Sequence, residues 1–119
     1  MSEEINIPEK SQSLKTDIED CYRSSVMYLQ RYKSAQRKHV GNEKLYFTEF
    51  VGAFESLYIF TSVDLGIQKE LLQDGHGQLL VNRVSKWLEN GNTNPKEGEQ
   101  LFLAYRKALF DRGILSFKK

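Results

Sequence analysis

At 119 residues the chain suits one domain with one core, and its two prolines and eight glycines argue against disorder or an extended all-β design. A net charge of +1 supplies no global field that would draw it to nucleic acid or an anionic membrane. A single cysteine, Cys21, excludes an intrachain disulfide framework and points to a reducing compartment.

Residues 1–11 lack apolar periodicity and contain Pro8, which predicts a flexible N-terminal arm. Their acidic, polar character shows no basic stretch leading into an apolar one, so a cytoplasmic location is expected. The first helix is expected from Ser13 to His39. Leu14, Ile18, Cys21, Tyr22, Val26, Leu29 and Tyr32 recur on one broad face. Ser13 offers an N-cap, Asp17 and Glu19 suit the positive end of the dipole, and Gly41-Asn42 offers a stop. Residues 21–38 contain no Asp or Glu. Arg23, Arg31, Arg37 and Lys38 lie on the back of this helix, a face able to grip phosphates without reading sequence.

Tyr46 to Ser62 is the most aromatic stretch, holding six of the chain's fourteen aromatic residues. Phe47, Phe50, Val51, Phe54, Leu57 and Tyr58 step by three and four, the spacing of a helix, and are expected in the core. Ile59 and Phe60 project off that stripe. Gly52 and Ala53 leave shallow ground for another helix. The segment is nearly long enough to span a bilayer, but Glu49 and Glu55 inside it argue against membrane insertion.

Leu65 to Gln73 is expected as a helical turn or the start of a third helix, and Asp74-Gly75-His76-Gly77 as a break that uses glycine's positive φ. A third helix follows over Gln78–Asn90, with Leu80, Val81, Val84, Trp87 and Leu88 on one face. After the loop at 90–94, Asn94 caps, Pro95 takes the first helical position and Glu97 falls three residues later. The fourth helix runs to Arg112, where Gly113 ends it. Leu101, Phe102, Tyr105, Ala108 and Leu109 make its main face. Leu103, Phe110, Ile114 and Phe117 lie off it, so the C-terminal tail folds back or meets a partner. The expected architecture is all-α: a four-helix bundle-like single domain over residues 12–119 behind the arm.

No catalytic chemistry is legible. His39, His76 and Cys21 fall at no zinc-ligand spacing. Cys21 sits on an apolar face, where cysteine acts as a small hydrophobe. Glu49 and Glu55 are six apart, about 120° around a helix, and do not face one another. The glycines match neither a phosphate loop nor a dinucleotide fingerprint. No catalytic residue, metal ligand or cofactor site is therefore assigned. The expectation is a non-enzymatic adaptor, inhibitor, immunity-type protein or accessory subunit. It binds another protein, or itself, through Ile59, Phe60, Leu103, Phe110 and Phe117, the apolar positions left over from the core. The alternative is sequence-independent nucleic-acid-backbone binding by Arg23, Arg31, Arg37 and Lys38 as part of a larger assembly.

Overall fold

A computed structural model of the chain describes residues 3–39, 41–90 and 94–116. It contains five helices: α1 (Glu3–Lys38), α2 (Glu43–Val63), α3 (Leu65–Leu71), α4 (Gly75–Glu89) and α5 (Pro95–Asp111). There is no strand among the described residues. The four expected long helices are present, and the short turn at 65–73 is the seven-residue α3.

The termini of these helices follow from local chemistry. Asp64 ends α2 and caps α3, its Oδ1 accepting from Ile67 N at 2.9 Å. That single residue allows the chain to bend by 103° between the two helices. Asp74 does the same for α4, accepting from Gly77 N at 2.8 Å. Asn94 Oδ1 caps α5 by accepting from Glu97 N at 3.1 Å, with Pro95 at the first helical position. Gly113, at φ 74, ends the C-terminal turn in the left-handed region, where a residue without Cβ is unstrained.

Three boundaries depart from the sequence reading. Helical backbone begins at Glu3 rather than Ser13, so residues read as an arm continue α1 through Pro8. The left-handed residue after α1 is His39, at φ 56, not the expected Gly41. Gly75 and Gly77 have no positive φ. Asp74 starts α4 at once, and both glycines lie in its first turn.

Two helical hairpins make the bundle. The first is α1 on α2, packed along their length; the second is α4 on α5, with α3 bridging them. They meet in an aromatic interior. Phe102 of α5 lies 5.4 Å, centroid to centroid, from both Phe50 and Phe54 of α2, edge-on to each. It also stacks at 6.2 Å on Tyr22 of α1. Trp87 of α4 contacts Phe47 and Phe54. The core includes the expected stripes: Ile18, Tyr22, Leu29 and Tyr32; Phe50, Val51, Phe54 and Leu57; Val84 and Trp87; Leu101, Phe102, Tyr105 and Leu109. Leu115 is buried too, so the tail folds back onto the bundle at least that far.

Among the described residues, two buried polar side chains, Ser25 and Thr61, sit in this interior. Ser25 Oγ donates to Cys21 O at 2.7 Å. Thr61 Oγ1 donates to Leu57 O at 2.9 Å and meets the Tyr105 hydroxyl from α5. Because the threonine proton serves the helix carbonyl, Tyr105 is the donor in that pair.

Candidate functional site

The outer face of α2 is built from residues at steps of three, four and seven. Leu45, Gly52, Ser56, Ile59 and Val63 fall along one line of the helix, opposite the buried Phe50, Phe54, Leu57 and Thr61. Leu45 is 57% exposed, Ile59 49% and Val63 64%. Leu65, just past the Asp64 corner, is 85% exposed. A side chain built at Gly52 would meet nothing within 4 Å. The middle of the face is therefore flat, with apolar residues at both ends. Glu49 and Glu55 are exposed on its two flanks. Beside Glu49 an open groove of about 300 Å³ runs between α1 and α2, with Asp20, Ser24, Gly52 and Ser56 in its walls.

The sequence-derived partner residues divide on this structure. Ile59 and, on α5, Leu103 at 43% are exposed. Phe60 and Phe110 are half-buried and pack on the core; Phe110 meets the Tyr22 ring edge-on at 5.6 Å. Tyr22 of α1 covers Phe110 at the bundle rim, and Phe60 packs on the core from its off-stripe position, so both offer less free surface than Ile59. Phe117 lies outside the described residues. Val63 and Leu65 were missed. The expected helix end at Ser62 cut the stripe short, although the spacing from Ile59 to Val63 is the i, i+4 step that would have found the first of them.

The basic face of α1 is partly neutralised. Arg23 pairs with Asp20 at 3.8 Å, and Lys33 with Glu99 of α5 at 2.6 Å. Arg31 lies over the Tyr28 ring at 5.9 Å. Arg31, Arg37 and Lys38 are exposed.

A second groove, about 460 Å³, separates α4 from α5 and collects Asp74, His76, Arg83, Lys107, Asp111 and Arg112. Most of these groups are engaged with one another. Arg112 Nη2 reaches both Asp74 oxygens at 3.3 Å, and its Nε donates to Glu70 O at 3.1 Å. Lys107 pairs with Asp111 at 2.8 Å. The Arg112 contacts clamp the end of α5 to the ends of α3 and α4, Lys107–Asp111 is an i, i+4 pair within α5, and the cap bond already occupies Asp74. Cys21 is half-buried; burial first, then the Asp17 and Asp20 carboxylates, push its thiol pKa up. A thiol held protonated is a poor nucleophile. Among the described residues no three His, Cys, Asp or Glu side chains gather as a metal site.

No single helix among the described residues is long and apolar enough to cross a membrane. Comparison with known protein families, curated proteins and solved structures returns no match. The functional reading therefore rests on the residues themselves.

Proposed function

We propose that this chain is a non-enzymatic binding protein that engages another protein through the outer face of α2 and the adjoining corner of α3. One observation carries the reading: Leu45, Ile59 and Val63 are 57%, 49% and 64% exposed along a helix whose opposite side builds the core, and Leu65, 85% exposed at the start of α3, continues the run past the corner. Exposed apolar residues scattered singly are ordinary, but a run of them along one face marks a contact surface. The mutual pairing of charges in the α4–α5 groove supports binding over catalysis.

The test is substitution at the exposed stripe. Ile59→Asp and Val63→Asp should leave helicity and thermal midpoint within a few degrees of the parent while abolishing complex formation in co-purification from the native cell. Phe60→Asp and Phe110→Asp should instead lower stability, because both rings cover the core. If the stripe variants retain every partner of the parent, the surface is wrong.

A second reading is supported by the exposed Arg31, Arg37 and Lys38 on an 18-residue run of α1 that lacks acids. It predicts weak affinity for generic duplex that collapses as salt rises. Reversing the three charges should remove it. Absence of binding at low salt would eliminate this reading.

A further inference from the structure

The partner class can be narrowed, on the assumption that the outer face of α2 is the contact surface. We infer that the segment seated on this face is a single amphipathic helix with an apolar stripe and basic residues on both its flanks. Size is the first argument. α2 has 21 residues, about 30 Å of helix, and a strip about 10 Å wide along it offers roughly 300 Å². A standard protein–protein interface buries about 800 Å² on each partner. The strip matches one helix rather than a broad globular face. Its relief agrees: Leu45 at one end, Ile59 and Val63 at the other, and between them Gly52, where nothing lies within 4 Å of an added Cβ. A large side chain of the incoming helix fits over that flat middle.

Charge selects the flanks. Between Leu45 and Val63 the only charged residues are Glu49 and Glu55, both exposed and on opposite sides of the stripe. Asp20 adds a third carboxylate in the groove beside Glu49, its contact with Arg23 being a loose 3.8 Å. A second copy of this chain laid on the same face would gather four glutamates with no cation from either strip, an arrangement that like-charge repulsion opposes. Lysine or arginine on either side of an apolar stripe complements the three carboxylates, and the groove admits one such side chain between α1 and α2.

The experiment uses two synthetic 20-residue amphipathic peptides that share a leucine stripe and differ only in flanking residues, arginine in one and glutamate in the other. Each is titrated into the isotope-labelled full chain. The arginine peptide is expected to bind in the micromolar range, shifting the amide signals of Gly52, Ser56 and Ile59. The glutamate peptide should bind at least tenfold more weakly. The double variant E49K/E55K should reverse this preference with an unchanged melting temperature, and Ile59→Ser should weaken the arginine peptide at least tenfold. Equal affinity for both peptides at this face would overturn the charge assignment while leaving the contact surface intact. Shifts confined to other helices, or no binding of the arginine peptide, would overturn the inference. So would a dimer in sedimentation, or uptake onto phosphatidylcholine vesicles, that Ile59→Ser abolishes. The co-purification test with Ile59→Asp stands apart from these results and decides the surface itself.

Discussion

A β-carbon added at Gly77 would lie 1.7 Å from Leu71 O and 2.9 Å from Leu71 C. Both obstacles are backbone, so no rotamer relieves them. The position needs glycine for close approach of α4 to the end of α3 rather than for an unusual φ. Gly77→Ala should lower unfolding free energy by about 3 kcal/mol, the upper range for overpacking, read from urea denaturation. A loss under about 0.5 kcal/mol, the range of neutral surface changes, would mean that the α3–α4 joint shifts freely. The Thr61–Tyr105 pair allows a sharper comparison. Thr61→Val leaves the Tyr105 hydroxyl without its acceptor in a buried site, a cost of about 1–3 kcal/mol. Tyr105→Phe removes the donor, and Thr61 still bonds Leu57 O, so the cost should be about 1 kcal/mol or less. Equal losses, or the reverse order, would contradict the donor assignment.

Helix ends carry the next level of organisation. Asp74 serves two elements at once: it caps α4 through Gly77 N and receives Arg112 from the end of α5. Asp74→Ala removes a cap of about 1 kcal/mol and a partly exposed ion pair of less than that, so a total near 1.5 kcal/mol is expected in chemical denaturation. Asp74→Asn should recover most of it, since its amide oxygen still caps; if Asn is as damaging as Ala, the Arg112 contact dominates instead. These joints also show what was readable in the residues and what was not. Asn94-Pro95 and Gly113 announce helix ends because capping is a local interaction, written in adjacent residues. The core stripes were legible because the helical period is too. The start of α1 was not, since neither apolar periodicity nor a breaker-free sequence marks residues 3–12. Nor were the rim positions of Phe60 and Phe110. A wheel shows direction from one helix axis, whereas covering Phe110 depends on where α1 brings Tyr22. For the same reason the outer face of α2 was half legible: Ile59 was evident, but Val63 and Leu65 depended on the Asp64 corner.

At the scale of the molecule, the two hairpins are joined chiefly by rings, with Tyr105 at their centre beside Phe54 and Tyr58. Surface charge adds little; even the Lys33–Glu99 bridge between α1 and α5 is of the solvent-exposed kind that contributes about 0–1 kcal/mol. Cohesion between the hairpins therefore depends on keeping the interior uncharged, which links stability to alkaline pH. Burial pushes the Tyr105 phenol pKa well above its ordinary value, with the neighbouring Tyr58 adding to the rise. Tyr32 shifts the same way, through burial and then the Glu43 and Glu99 carboxylates. Above about pH 10 an unfolded tyrosine releases its proton while folded Tyr105 retains it. The native state then binds more protons than the unfolded one, so its stability is full below pH 10 and falls as pH rises beyond it. One such group contributes a slope of up to about 1.4 kcal/mol per pH unit. Unfolding free energies measured by urea titration between about pH 9 and pH 11.5 should decline in the parent above pH 10. Tyr105→Phe should decline less steeply, retaining a residual slope from Tyr32. If both proteins fall in parallel, Tyr105 ionises as readily in the bundle as in the open chain, and the interior joining the hairpins is wetter than its packing indicates.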